Sequence, residues 1–102
     1  MDMKQMMRQA QKMQAELAKA QDEIKDMKAE ATAGGGMVKA VATGDMVIQS
    51  ITLDKDAVDP EDVEMLEDMI VAACNEALRA VAAQSSARLS AATGGMSIPG
   101  LM

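Results

Sequence analysis

The chain contains the stretch Asp59-Pro60-Glu61-Asp62-Val63-Glu64-Met65-Leu66-Glu67-Asp68-Met69-Ile70-Val71-Ala72-Ala73-Cys74, which predicts a helix before any periodicity is counted. Asp59 is the expected N-cap, because its carboxylate can accept hydrogen bonds from the free N–H groups of a first turn. Pro60 suits the first helical position, where its missing N–H would have had no intrahelical partner. With no breaker before Gly94, the helix should run from Pro60 to about Ala92, or ~50 Å. A compact chain of this length has a radius of gyration of only ~13 Å, so the helix should project from its domain or lie against a second chain.

An apolar stripe at helical spacing marks the face of this helix that we expect in the core and in a dimer interface: Val63, Leu66, Ile70, Ala73 and Ala77, continuing to Val81. Apolar residues also flank the stripe, so more than half of the circumference is apolar through the first half of the helix. Such a helix needs cover on two sides, and we expect a sheet on one side and a partner helix on the other. The Ala- and Ser-rich half beyond Val81 is expected to be an exposed arm.

The composition favours one small domain that associates with a second copy. Of the 102 residues, 49% are hydrophobic and none is aromatic, so a core would consist of Met, Ala, Val, Ile and Leu. Such a core specifies one packing only weakly, and oligomerisation is the expected remedy. We expect a single α+β domain over residues 1–93 and a flexible Gly/Pro tail over residues 94–102.

Several kinds of catalytic and ligand site cannot be built from these residues. The chain has no histidine and one cysteine, which excludes a Ser-His-Asp triad, a His-ligated metal and a structural zinc site. Gly34-Gly35-Gly36 is not followed by Gly-Lys-Ser/Thr, so it is no phosphate-binding P-loop. The acidic run from Asp54 has Asp59 and Met65 where a calcium loop needs Gly and Glu. We therefore expect no enzyme activity, metal, cofactor or small-molecule substrate.

The sequence also predicts a cytoplasmic location. A single cysteine fits a reducing compartment. Met1-Asp2-Met3-Lys4 leads directly into a polar amphipathic pattern, so no signal peptide is expected. No apolar run approaches the ~20 residues that cross a membrane, and no membrane association is expected.

The first quarter of the chain has a heptad pattern. Apolar residues recur at alternating spacings of three and four: Met3, Met6, Ala10, Met13, Leu17, Ala20, Ile24 and Met27. This pattern predicts a helix from residue 3 to about 26 with a narrow coiled-coil seam. Since Ala and Met pack weakly, the seam needs a partner.

The middle of the chain predicts a small antiparallel sheet. Residues 37–43 and 46–53 have the β-branched content of strands, and Gly44-Asp45 between them marks a turn. The two strands should form an antiparallel hairpin. Residues 28–33 alternate polar and small apolar residues, which fits either a continuing helix or a short edge strand. Gly34-Gly35-Gly36 ends either one.

Basic residues cluster on one side of the first helix. The formal net charge is −6, but residues 56–76 hold eight acids and no base. The bases of the first helix lie opposite its apolar seam: Lys4, Arg8, Lys12 and Lys19. The pattern fits either an ordinary solvated face or a ridge that contacts phosphates. Two further bases, Arg79 and Arg88, lie on the last helix.

Taken in order, these features resemble the YbaB/EbfC family of bacterial nucleoid-associated proteins. The resemblance rests on a Met- and Gln-rich first helix, then Gly34-Gly35-Gly36-Met37-Val38-Lys39, a hairpin ending in Ile51-Thr52-Leu53-Asp54, the block from Val58 to Ala73, and Asn75-Glu76-Ala77. The Gly-Gly…Pro-Gly tail at the end of the chain is also part of the resemblance. The match covers almost the whole chain, and Glu64 to Ala73 is its strongest part.

The resemblance implies an α+β protomer with a three-stranded antiparallel sheet between two long helices, which favours the strand at residues 28–33. It implies a homodimer that binds double-stranded DNA without catalysis, changes DNA conformation and resides in the nucleoid. Family members grip DNA with projecting helices, so Lys4, Arg8, Lys12 and Lys19 are the first candidates for contact. Arg79 and Arg88 are further candidates, although the last helix is less basic than is usual in the family. The alternative is a coiled-coil module that binds a protein and not DNA.

Overall fold

The structure, a computed structural model, describes residues 2–94 and has the predicted α+β architecture. The elements in chain order are α1 (Met3–Lys25), β1 (Lys28–Ala33), β2 (Val38–Thr43), β3 (Ile48–Leu53), a 3-10 turn (Lys55–Ala57) and α2 (Val63–Ala92). Residues 28–33 form a strand, as the resemblance implied. The tail predicted at residues 94–102 lies outside the described residues from residue 95 onward. No helix within residues 2–94 is both long and apolar enough to cross a bilayer.

The three strands form one antiparallel sheet with β2 in the centre, which confirms the predicted hairpin. Helix α2 lies over β1 and β2 and barely reaches β3. The core between them is made of small residues: Ala29, Val38, Ala40, Ala42, Ala73, Ala77 and Val81. Leu66 and Ile70 are half-buried at its edge. Val63 is 51% exposed, so the expectation that it joins the core is wrong for the single chain, and its role in a dimer stays a prediction.

Helix α2 begins three residues later than predicted, and its N-cap is Asp62. The Asp62 Oδ1 accepts from the Met65 N–H at 3.3 Å. Asp59 instead closes a turn before the helix: its Oδ1 accepts from the Glu61 N–H at 2.9 Å, and its carbonyl from the Asp62 N–H at 3.0 Å. Pro60 occupies the second position of this turn, which its fixed φ favours. Of two carboxylates able to cap, the later one is used because Asp59 is engaged in the turn.

Strand β3 also begins later than predicted. Met46 has a φ of 63°, which is incompatible with a strand. The loop closes through hydrogen bonds from the Met46 N–H to the Thr43 carbonyl and from the Thr43 N–H to the Val47 carbonyl, each 2.9 Å long. The first regular strand residue is therefore Ile48.

The exposed arm belongs to α1 and not to α2, contrary to the sequence-based expectation. One face of the second half of α2 is covered: Val81 is buried against the sheet, and Arg88 and Leu89 are half-buried in the part along which the C-terminal half of α1 packs. Residues 2–15, the N-cap and first half of α1, are all exposed, and we call them the N-terminal arm. The molecule measures 71 × 21 × 17 Å, and its radius of gyration of 19.3 Å exceeds the ~13 Å of a compact chain.

Gly44 joins the β2–β3 turn to the end of α1. Its N–H donates to the Met27 carbonyl at 3.0 Å, and a Cβ placed on it would lie 1.6 Å from the Ile24 carbonyl oxygen. No side chain fits there unless the turn and the helix separate.

We predict that Gly44→Ala lowers the free energy of unfolding by about 2–3 kcal/mol, as overpacking against rigid backbone does. Urea denaturation followed by circular dichroism measures the change. Gly35→Ala is the matched control, since a Cβ at Gly35 meets nothing within 4 Å and its cost comes only from a φ of +68°. Equal loss of stability in the two variants would contradict this account of the joint.

Candidate nucleic-acid interface

The N-terminal arm presents a straight row of positive charges. Lys4, Arg8 and Lys12 are spaced four residues apart, so they lie on one side of α1 with a rise of ~6 Å between neighbours. All three side chains are exposed, and none forms an ion pair with another described residue. Asp2 caps the helix by accepting from the Gln5 N–H at 2.8 Å. The arm therefore carries uncompensated positive charge on a well-defined helix.

The apolar seam of α1 faces the other way. Along the C-terminal half of α1, the seam residue Ala20 is buried, and Leu17 and Ile24 are half-buried, where α1 packs against α2. Since the basic residues lie opposite the seam, the row of charges faces away from α2. Beyond the end of α2 the same seam is uncovered, and Met3 and Met6 are 78% and 56% exposed.

Lys19 continues the basic row but stands in a different electrostatic environment. It is exposed and lies one helical turn before Glu23. The hydrogen bond from Arg88 is the main cause that lowers the pKa of the Glu23 carboxyl, and the charges of Arg88 and Lys19 add to it. The positive charge of Lys19 is therefore partly offset by the neighbouring carboxylate of Glu23.

The two arginines of α2 both have carboxylate partners. The Arg79 Nη2 lies 3.2 Å from the Glu76 Oε2 on the same exposed helix face. The Arg88 Nε donates to the Glu23 Oε2, which joins α2 to α1. This bond is the largest cause that raises the pKa of Arg88, and the charges of Glu23 and Glu16 contribute. The Arg88 side chain is only 22% exposed, so it is much less accessible than the bases of the arm.

The acidic residues from Asp54 to Asp68 lie at the opposite end of the molecule from the arm. Met69 packs over Gly34 at the β1–β2 turn, whereas Arg88 meets α1, so α2 runs away from the turn toward the arm. The acids that precede and open α2, from Asp54 to Asp68, therefore cluster at the turn end. Within residues 2–94 no group of three or more carboxylates and thiols is arranged to hold a metal ion. The acids act locally as caps, as at Asp54 and Asp62.

The structure thus separates the six predicted DNA-contact residues into two groups. Lys4, Arg8, Lys12 and Lys19 share one exposed face of α1, as the spacing predicted. Arg79 and Arg88 lie elsewhere and are paired. Sequence reasoning missed the partner of Arg88, because Glu23 lies 65 residues away and no local pattern connects the two.

Comparisons with known proteins agree with these features. The sequence pattern of the YbaB/EbfC DNA-binding family matches residues 1–96. The chain is 50% identical over 96 residues to a nucleoid-associated protein of Thermoanaerobacter pseudethanolicus, with 94% of this chain and 86% of the relative covered. It is 49% identical over 100 residues to a nucleoid-associated protein of Pelotomaculum thermopropionicum, covering 98% and 95%. An uncharacterised protein of Helicobacter pylori shares the fold, with a TM-score of 0.71 at 24% identity and 93% and 99% coverage.

Proposed function

Because this chain belongs to the YbaB/EbfC DNA-binding family, we propose that it holds double-stranded DNA as a homodimer through the phosphates, using the basic face of its N-terminal arm. It is a nucleoid-associated DNA-binding protein. The proposal places it in the cytoplasm, on the bacterial nucleoid, where it changes the conformation of DNA and thereby affects gene expression. The single observation that carries the proposal is the exposed, unpaired row of Lys4, Arg8 and Lys12.

Contacts from this row should go to phosphates and not to base edges. Lysine acts as a point charge toward phosphate, and only Arg8 on the arm offers the fork that reads guanine in the major groove. Phosphate contacts position a protein on DNA without reading its sequence. Binding with little sequence preference follows.

The charge distribution also orients the molecule on DNA. The acidic residues from Asp54 to Asp68 lie at the end of the molecule away from the arm. Since that cluster repels phosphate, the arm should approach DNA while the β1–β2 turn faces away.

A homodimer is supported by apolar surface that the single chain leaves open. Ile51 and Leu53 pair with Ala40 and Val38, so they point to the side of the sheet that α2 covers. Because α2 barely reaches β3, they stay 43% and 38% exposed, and on α2 itself Val71 is 57% exposed.

The accessible surface of the chain is consistent with a missing partner. It is 7280 Å², against ~5500 Å² for a compact monomer of 10.7 kDa. The excess of ~1800 Å² is larger than the ~800 Å² that each partner of a standard interface buries, and the projecting arm accounts for part of it. A second copy would cover β3 and the flank of α2, and it would also bring two arms to one DNA duplex.

We predict that the wild-type protein elutes at about twice its 10.7 kDa chain mass and that Ile51→Asp makes it monomeric at micromolar concentration. The carboxylate would be buried without a partner in the interface, whereas it stays hydrated in the single chain. Light scattering coupled to size exclusion measures the mass. Thr52→Asp is the matched control, because Thr52 pairs with Lys39 on the other face of the same strand. If the Ile51→Asp protein is still a dimer, β3 does not belong to the interface. If the wild type is a monomer, the homodimer is refuted.

We predict that DNA affinity falls with log salt at a slope of about −4 to −5, as expected if two arms together make roughly four to six phosphate contacts. Replacing Lys4, Arg8 and Lys12 together by Glu should abolish binding and leave the dimer intact. Gel shifts at several salt concentrations, with random and genomic DNA, measure both.

The control for this experiment carries the same charge change elsewhere. Lys25, Lys28 and Lys55 lie at or near the sheet, and their replacement by Glu changes the net charge equally. This variant should retain most of the affinity. If the arm variant binds like the wild type, the row on α1 is a solvated face. If the wild type does not bind DNA at low salt, a protein-binding module becomes the better interpretation.

A further inference from the structure

We propose that Arg88 is a positioning residue: its ion pair with Glu23 sets the angle at which the N-terminal arm leaves the molecule, and hence how the basic row meets DNA. The inference rests on the proposed function of the arm. The sequence suggests that Arg88 contacts DNA directly, whereas this inference makes it a residue that orients the arm.

The geometry places this pair where it can control the arm. Helix α1 packs chiefly against α2, and its buried or half-buried apolar residues are Leu17, Ala20 and Ile24. Such a short contact, centred on an alanine, resists tilting only weakly. The bond from Arg88 to Glu23 joins the two helices at the end of this contact that lies nearer the sheet.

A small tilt at this point becomes a large displacement at the tip. From Glu23 to Lys4 the helix rises ~28 Å, so a tilt of about 10° moves Lys4 by ~5 Å. Charge-assisted hydrogen bonds to phosphate require ~2.8 Å between donor and acceptor, so a displacement of this size removes the contact. The orientation of α1 therefore decides whether Lys4 and Arg8 reach the duplex.

A second anchor acts beside the ion pair. The Gly44 N–H donates to the Met27 carbonyl at 3.0 Å, and the Gly44 backbone lies against Ile24. This joint holds the end of α1 to the sheet and provides a pivot. The ion pair connects the neighbouring turn of α1 to α2, so the two anchors together define one direction for the arm.

Direct contact and positioning predict opposite effects for Glu23→Gln. If Arg88 contacts phosphate, the substitution frees its guanidinium and removes a repelling carboxylate, so DNA affinity should rise. If Arg88 positions the arm, the substitution weakens the tie between the helices, because a neutral amide oxygen replaces the carboxylate, and affinity should fall even though a negative charge has been removed.

The first experiment measures DNA affinity against salt for Glu23→Gln, Arg88→Gln and the double variant. Each single substitution should lower affinity roughly three- to tenfold, because only a fraction of the molecules then hold the arm in the binding orientation. The double variant should lose no more than either single one, since both remove the same interaction. The salt slope should not change, because the number of phosphate contacts stays the same.

Glu76→Gln and Arg79→Gln are the matched controls. They remove the same kind of ion pair, but within α2, where it joins no second helix. Glu76→Gln should leave affinity unchanged or slightly raised. The proposal is overturned if Glu23→Gln binds as tightly as the wild type or more tightly, or if Arg88→Gln lowers the magnitude of the salt slope by about one.

A second experiment tests the orientation without DNA. Spin labels at Gln9→Cys and Gln84→Cys, in a Cys74→Ala background and diluted with unlabelled chain, report the distance between the arm and α2. The distribution should broaden in Glu23→Gln and Arg88→Gln but not in Glu76→Gln. Exchanging the charges, Glu23→Arg with Arg88→Glu, should narrow it again.

The two experiments distinguish failure of the positioning role of Arg88 from failure of the proposed DNA-binding function. Unchanged distance distributions in Glu23→Gln and Arg88→Gln would overturn the positioning role even if DNA is bound. If the distributions broaden in these variants but the wild type does not bind DNA, the positioning role of Arg88 is upheld and the DNA-binding role of the arm is refuted.

Discussion

The packing of α2 on an alanine-lined sheet face is the contact on which the rest of the structure depends. The buried cluster consists of five alanines and two valines, and Val38 and Val81 are its largest fully buried side chains. Small side chains allow a helix to lie close to a sheet, but each of them removes little apolar area from water. The single chain therefore has a thin core, and Ile51 and Leu53 on β3 and Val71 on α2 stay exposed.

The length of α2 relative to the sheet gives the molecule its shape. The helix has 30 residues, and the part up to Val81 covers β1 and β2. Its C-terminal half is covered by the C-terminal half of α1, which pairs Glu23 with Arg88. Because the two helices are antiparallel and offset, the first half of α1 overhangs. The basic arm thus arises as a consequence of packing and ends up far from the acidic start of α2.

Local patterns in the sequence were sufficient for most of the fold and for part of the candidate site. The heptad repeat predicted α1, and β-branched residues around Gly44 predicted the hairpin. The four-residue spacing of Lys4, Arg8 and Lys12 predicted a common face. In each case the residues involved are close together in the chain, so periodicity and turn preference describe their relation. The strand at residues 28–33 was ambiguous by pattern alone, because alanine and lysine suit either structure and pairing with β2 decides the outcome.

What the sequence by itself determined is the type and order of every element except β1, the face on which the bases lie, and the exclusion of histidine-dependent chemistry. The tertiary structure alone decided that Asp62 and not Asp59 caps α2, that the overhanging arm is the start of α1, and that Arg88 is bound to a carboxylate. The physical reason is that these features depend on choices between competing partners. Either of two carboxylates could cap the start of α2, and either long helix could overhang the domain. The partner of Arg88 lies 65 residues away in the chain. Such choices follow from helix lengths, offsets and crossing angles, which local spacing does not contain.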